Sequence, residues 1–211
     1  AAIQPLLAQA QILTRQYDAV ITNPPYMGKK SLNNTLSTFL EAHYPLGKSE
    51  LYSAFILKCI SMSKHNGFVS MITIHTWMFI SSFEGVRRYI LDNASITSMV
   101  HSGASTFEDL NSFNALATAF TLRKSQIENY IAAYIKLTNY YSTQEKLSHY
   151  SDKMCLFHLS QKTFSIIPGC PFVYWISENA RNNFKRFKEL RTYAEPKQGL
   201  ATGDNDKFTR F

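Results

Sequence analysis

Hydrophobic and polar positions follow two alternating periods over roughly the first two thirds of the chain. Residues 3–16, 50–64 and 82–92 carry apolar side chains at helical spacing, and a shorter helix is expected at 36–43. Runs rich in β-branched residues predict five strands, at residues 17–22, 68–74, 96–100, 115–122 and 130–137. The run at 17–22 is apolar on both faces, which predicts a buried, parallel strand. Strands alternating with helices predict an α/β domain with a largely parallel sheet.

This regular pattern ends near Thr138, where segments rich in Tyr, Ser and Lys follow without a clear period. Residues 164–175 contain Pro168-Gly169 and Pro171, which predict turns and short strands. Residues 177–190 predict a basic helix, and the stretch from 199 to 211 is rich in turn-forming residues. The second part of the chain is therefore organised differently from the first.

Composition narrows the class of protein. The 211 residues are 45% hydrophobic and 18% charged, which favours a packed core over disorder. No apolar run approaches the ~20 residues needed to cross a bilayer, so no membrane partner is expected. The three cysteines lack a Cys-x-x-Cys spacing and the six histidines lack metal-ligand spacing. We therefore expect a cytoplasmic protein without a metal site.

The positive charge is concentrated in the second half. Residues 1–122 carry 8 Lys+Arg and 7 Asp+Glu, whereas residues 123–211 carry 14 and 8. A basic region beside a nearly neutral one suits a polyanionic partner such as nucleic acid, although a merely basic surface would look the same. In the predicted basic helix the candidate phosphate contacts lie among aromatic residues and are Lys185, Arg186, Lys188 and Arg191.

The segment that carries chemistry is Asn23-Pro24-Pro25-Tyr26, directly after the strand predicted at 17–22. Ligands of open α/β sheets bind outside the carboxyl ends of the strands. The Asn23 side-chain oxygen and the Pro24 carbonyl could accept hydrogen bonds from an amino group whose lone pair is delocalised into a ring. Two prolines make this loop rigid, and Tyr26 offers a flat face for stacking. A proline-stiffened turn is the alternative explanation.

Together with the strand before it, this motif resembles the catalytic loop of adenine-specific DNA methyltransferases. The similarity continues through residues 51–64, 67–74 and 115–122. Residues 164–175 and 199–208 resemble the opening of the target-recognition region in large restriction-modification methyltransferases, such as type IIG, and in phage-defence methyltransferases of the PglX (BREX) type. The resemblance implies a partial Rossmann-like methyltransferase fold with a mostly parallel sheet, followed by the start of an α+β target-recognition region. The implied divisions are residues 1–125 for the C-terminal half of the catalytic domain, 126–160 for a β extension and linker, and 161–211 for the beginning of target recognition.

The resemblance also implies the reaction. S-adenosylmethionine would donate a methyl group to the exocyclic amine of an adenine flipped out of double-stranded DNA. Asn23, Pro24, Pro25 and Tyr26 would be the catalytic residues, and Phe107 matches the position of an aromatic residue that touches the base. Partners in a restriction or phage-defence complex are implied as well.

One part of the family pattern has no counterpart before Asn23. The family binds its cofactor mainly through a strand followed by a Gly-x-Gly turn, and no such segment precedes the motif here. We therefore expect a fragment, inactive by itself, in which the strand at 17–22 is an exposed edge that promotes association. Two alternatives stay open at this point: a protein glutamine methyltransferase, and a non-catalytic remnant that binds DNA or a partner.

Overall fold

A computed structural model describes residues 3–106 and 116–195. In these ranges the α-helices are α1 (Ile3–Thr14), α2 (Asn34–His43), α3 (Leu51–Met62), α4 (Glu84–Asn93), α5 (Thr143–His149) and α6 (Glu178–Arg186). The strands are β1 (Tyr17–Thr22), β2 (Ser63–Ile74), β3 (Ser95–Gly103), β4 (Ala117–Arg123), β5 (Ala132–Lys136) and β6 (Leu156–Leu159). The predicted alternation of helices and strands is confirmed.

The six strands form one sheet in the order β1-β2-β4-β3-β5-β6. β1 pairs parallel with β2, and β3 pairs parallel with β5, whereas β4 and β6 run antiparallel to their neighbours. Four strands therefore share one direction, as the α/β pattern predicted. Because β1, β2 and β3 are among these four, their carboxyl ends meet at one edge of the sheet.

Two segments differ in detail from their sequence patterns. β2 begins at Ser63, not at residue 68, and a polar run that includes a left-handed Asn66 (φ 64°) forms part of the strand. Residues in this run face solvent at the end of the sheet, so their polarity does not oppose a strand. The region after Thr138 contains α5, whose first turn has a complete capping box made by Ser142 and Glu145.

The hydrophobic core lies on one face of the sheet. α3 and α4 cover this face, and they bury Ile56, Ile60 and Ile90 against inward side chains such as Met71 and Phe120. The loss of apolar surface from water is the main stabilising contribution of such a face. The chain after β6 completes the same core through Phe164, Phe172 and Tyr174.

The opposite face of β1, β2, β4 and β3 is largely open, and β1 is the edge strand. Ile21 is 79% exposed, so the prediction of a buried strand is wrong, although the predicted parallel pairing is correct. α1 buries none of its residues, and its apolar residues Leu6 and Leu13 are exposed.

A buried arginine attaches the C-terminal segment to this framework. Arg87 of α4 donates hydrogen bonds to the carbonyl oxygens of Trp77, Ile80 and Gly169 at 2.7–2.9 Å. The side chain is 1% exposed, so its charge is satisfied by backbone oxygens rather than by water. In the described ranges no helix is long and apolar enough to cross a membrane.

Candidate active site

The Asn-Pro-Pro-Tyr motif forms the loop at the carboxyl end of β1. Thr22 pairs with Met71 of β2, so the chain leaves the sheet at Asn23 on the edge that β2 and β3 share. Pro24 is buried, while Asn23 is exposed to solvent. The proline pair fixes φ at two successive residues and contributes no N–H donors. The side chain of Asn23 is thus presented at the edge where ligands of open α/β sheets bind.

Tyr26 turns back toward Asn23. Its hydroxyl group donates a hydrogen bond to Asn23 Oδ1 at 3.0 Å and approaches the carbonyl oxygen of Ile72 at 3.4 Å. Burial raises the pKa of the Tyr26 phenol, which keeps the hydroxyl protonated and able to donate. An amide oxygen has two lone pairs, so Oδ1 can still accept a second hydrogen bond. Tyr26 therefore orients the acceptor without occupying all of it.

A second tyrosine supports Tyr26 from the core. The ring of Tyr52 lies edge-on to the ring of Tyr26, with 6.2 Å between centroids. Tyr52 is buried on α3, and its hydroxyl group hydrogen-bonds to Thr76 Oγ1 at 2.8 Å. Sequence reasoning missed Tyr52 and Thr76, since an aromatic residue on the apolar face of a helix is indistinguishable from ordinary core.

The chain after Tyr26 is fastened to the start of α3. Leu51 N donates to the carbonyl oxygen of Met27 at 2.9 Å, and Gly28 forms an isolated antiparallel bridge with Glu50. The loop is consequently fixed on both sides, by β1 before it and by α3 after it. Acceptors held in this way need little rearrangement when a substrate binds.

A shallow depression of about 400 Å³ lies beside Asn23 on the open face of the sheet. Apart from Asn23, its lining consists of apolar and small hydroxyl side chains, among them Ile21, Ser70 and Val100, and it includes no charged residue. The hydroxyl groups of a ribose and the charged ends of an amino acid normally require a carboxylate and further polar partners. The described residues around Asn23 therefore do not make a complete site for S-adenosylmethionine.

The predicted phosphate contacts lie on a different element. Lys185 and Arg186 form the last turn of α6, Lys188 follows it, and all three are exposed. The guanidinium of Arg186 lies 5.5 Å from the ring centroid of Phe187, which is itself 62% exposed. Their contact with DNA phosphates stays a prediction.

The other two candidates are Arg191 and Phe107. The backbone of Arg191 belongs to a short 3-10 helix, Leu190–Thr192. Phe107 lies outside the described residues, so its contact with a base stays a prediction. The structure thus unites Asn23, Pro24, Pro25 and Tyr26 in one loop and places the basic residues elsewhere.

Comparisons with known proteins agree with this geometry. The family model described as Eco57I restriction-modification methylase matches residues 5–107. The chain is 34% identical over 207 residues to the adenine-specific methyltransferase BrxX of Escherichia coli O9:H4 (strain HS), covering 98% of this chain and 17% of that protein. It is 30% identical over 213 residues to the adenine-specific methyltransferase PglX of Lacticaseibacillus casei (strain Zhang), covering 97% and 18%.

A solved structure extends the likeness to three dimensions. The chain superposes on a DrdV–DNA complex with a TM-score of 0.58, at 15% identity, over 82% of this chain and 20% of the other. At that identity the likeness shows the fold alone. The chain spans less than a fifth of the length of the two relatives above. Through residues 5–107, which include β1, the Asn-Pro-Pro-Tyr loop and the helices behind it, the chain belongs to the Eco57I restriction-modification methylase family.

Proposed function

We propose that this chain is the substrate-binding part of an adenine-specific DNA methyltransferase that acts in a restriction-modification or phage-defence system. The observation that carries the proposal is the hydrogen bond from the Tyr26 hydroxyl to Asn23 Oδ1 at the carboxyl end of β1. The methyl donor would be S-adenosylmethionine, as the family implies. The relatives named adenine-specific methyltransferases favour DNA adenine over a protein glutamine as the acceptor.

The loop suits an exocyclic amine for a chemical reason. The nitrogen lone pair of such an amine is delocalised into the ring, so the amine must become more tetrahedral before it can attack a methyl group. Asn23 Oδ1 and the Pro24 carbonyl oxygen would each accept one N–H of the amine. Acceptors fixed in this position stabilise the positive charge that develops on nitrogen.

Tyr26 has two tasks in this proposal. Its ring would stack on an adenine that has left the duplex, since a base inside the stack cannot reach the loop. Its hydroxyl group donates a hydrogen bond to Asn23 Oδ1 and so orients this acceptor. The proposed base contact of Phe107, from the connection that follows β3, would act on the same adenine.

The decisive experiment replaces the acceptor in the full-length protein. Asn23→Ala should abolish adenine methylation of DNA, while Asn93→Ala, which removes an exposed amide bonded to the Tyr89 carbonyl, should leave it intact. Near-normal methylation by Asn23→Ala would overturn the proposal. Tyr26→Phe keeps the ring and removes one hydrogen bond, so a rate loss of about tenfold is expected, from a net contribution of about 1 kcal/mol or slightly more.

DNA binding by α6 is a separate part of the proposal. Lys185, Arg186, Lys188 and Arg191 would contact phosphates, and such contacts weaken as salt rises because bound counterions are released. Reversing the charge of Lys185 and Lys188 together should weaken binding to duplex DNA. It should also reduce the slope of log affinity against log salt concentration by about 2, because two phosphate contacts are lost. An unchanged affinity and an unchanged salt slope would remove these residues from the interface.

The alternative of a non-catalytic DNA- or partner-binding protein is favoured by one observation, the uncharged depression beside Asn23. Calorimetry of the 211-residue chain with S-adenosylmethionine tests whether that depression binds the methyl donor. Measurable binding would contradict our view that the described residues lack a complete cofactor site. The three cysteines are buried and unpaired, which suits the cytoplasmic location proposed for such an enzyme, where it could also meet complex partners.

A further inference from the structure

Two imidazole rings meet at the sheet edge that carries the catalytic loop. His75 follows the last residue of β2, and His101 lies near the end of β3. β4 separates these strands, with Ala117 opposite Ile74 and Thr118 opposite His101. The two side chains reach across β4, so that His75 Nδ1 lies 2.5 Å from His101 Nε2. At this distance one proton must lie between the two nitrogens.

Aromatic rings enclose the pair. His101 is 3% exposed, and its ring centroid lies 5.8 Å from that of Phe79, 6.3 Å from that of Tyr174 and 6.0 Å from that of Trp175. The charged group facing this cluster is Lys136 of β5, whose Nζ lies 5.0 Å from the centroid of the Trp175 ring. The pair is therefore desolvated, and its charged neighbour is a cation.

The surroundings determine where the protons lie. Within the described part of the chain, His101 Nδ1 is buried without a hydrogen-bond partner. A buried donor without an acceptor is costly, so we assign the His101 proton to Nε2, from which it is donated to His75 Nδ1. Burial, then His75, then Lys136 lower the pKa of His101 to about 3, and burial lowers the pKa of His75. The pair is accordingly neutral at neutral pH.

The pair also joins two connections that flank the catalytic loop. The backbone N–H of His75 bonds to the carbonyl oxygen of Leu116, just before β4, at 2.7 Å. The next residue, Thr76, holds the hydroxyl group of Tyr52, whose ring supports Tyr26. On the other side, β3 ends two residues after His101, where the chain departs toward the position of Phe107.

We propose that His101 is a positioning residue for base binding: through its hydrogen bond to His75 it fixes the chain after β2 to the end of β3, which keeps Thr76, Tyr52 and Tyr26 in place. This inference rests on the proposed role of the Asn-Pro-Pro-Tyr loop. Tyr174 and Trp175, which cover the pair, belong to the segment that we expect to open the target-recognition region. Displacement of that segment would admit water to the pair and loosen the same contacts.

The test uses nuclear magnetic resonance on the 211-residue chain with ¹⁵N-labelled histidine. The wild-type chain should show a scalar coupling between His75 Nδ1 and His101 Nε2, together with nuclear Overhauser effects between the rings of Tyr26 and Tyr52. His101→Leu should lose most of the Overhauser effects between the rings of Tyr26 and Tyr52. His101→Gln places an amide donor near the position of Nε2 and should restore them. His158→Leu, which changes an exposed histidine on β6, is the matched control and should alter neither signal.

Several results would overturn the inference. It fails if the wild-type rings show no coupling, if the His101 imidazole titrates with a midpoint near the ordinary value of about 6.5, or if folded His101→Leu keeps the contacts of Tyr26 with Tyr52. If His101→Leu does not fold, the coupling in the wild-type chain and the comparison of the wild-type chain with His101→Gln still test the inference. The samples contain neither DNA nor methyl donor, so the outcome is independent of the Asn23→Ala methylation test.

Discussion

Two adjacent arginines on α4 have opposite environments, and they provide a sharp test of how the C-terminal segment is held. Arg87 is buried and donates to three backbone carbonyl oxygens, including that of Gly169. Arg88 is exposed and pairs with Glu84 one helical turn earlier, at 2.8 Å. Replacement by Met retains most of the aliphatic stem in both cases and removes only the guanidinium. Any difference between the variants therefore reports the buried hydrogen bonds.

The expected loss for Arg87→Met follows from these bonds. The carbonyl oxygens of Trp77, Ile80 and Gly169 would each lose a charged donor, and a buried polar group left unsatisfied costs about 1–3 kcal/mol. The carbonyl oxygens of Gly169 and Ile80 are only partly buried, so water can reach them in the variant. We therefore expect each lost hydrogen bond to cost an amount in the lower half of this range, about 1–2 kcal/mol. The free energy of unfolding should fall by about 3–6 kcal/mol in total. Arg88→Met should be nearly neutral, because exposed ion pairs contribute little.

Urea unfolding with linear extrapolation measures this difference. The fluorescence of Trp77 and Trp175, the two tryptophans of the chain, reports the transition next to the altered site. Hydrogen exchange adds a local readout, since the Phe172 N–H bonds to the Met78 carbonyl oxygen at 2.9 Å beside Arg87. That amide should exchange faster in Arg87→Met and be unchanged in Arg88→Met. A stability loss below about 1 kcal/mol for Arg87→Met would refute the reasoning.

Three further predictions use other features of the fold. The pKa of His101 is lowered from 6.5 to about 3, so the unfolded chain binds more protons below about pH 6.5. Stability should therefore fall by about 2 kcal/mol between about pH 7 and about pH 5, and urea titrations of His101→Gln should show a shallower fall; an equal slope would contradict this. A Cβ on Gly47 would lie 2.7 Å from the backbone nitrogen of Ala54, whereas a Cβ on Gly85 would meet the movable methyl group of Leu46. The midpoint of thermal unfolding of Gly47→Ala should therefore be well below that of Gly85→Ala, and equal midpoints would argue against the close approach at Gly47. The open edge of β1 should make the chain associate, and Ile21→Lys should reduce this in sedimentation velocity; a wild-type monomer at all concentrations would rule it out.

The position of the Asn-Pro-Pro-Tyr loop could be predicted from the sequence because its signals are local. A run of β-branched residues ends at Thr22, two prolines follow, and the structure begins and ends β1 at the predicted residues. The same local reasoning located α2, α3 and α4 to within a few residues. Periodicity and turn chemistry depend on residues close together in sequence, so they predict local structure without knowledge of the tertiary fold.

The support behind the loop could not be predicted in this way. His75 and His101 are 26 residues apart, and only the insertion of β4 between β2 and β3 brings their rings together. Strand order is decided by packing across the whole sheet, which periodicity does not encode. A shorter-range signal was available for α5, because Ser142 and Glu145 have the spacing of a capping box. The exposure of β1 likewise depends on what covers the sheet rather than on the residues of the strand.

The antiparallel β4 has a consequence for how the chain between β3 and β4 can change in length. Because β3 leaves the sheet and β4 enters it at the same edge, the connection between Gly103 and Leu116 starts and finishes at the edge that carries the Asn-Pro-Pro-Tyr loop. Lengthening a loop whose ends are already held together costs little free energy. Insertions and deletions at this place would therefore leave the strand pairing unchanged. The sheet can stay constant while this single connection diversifies.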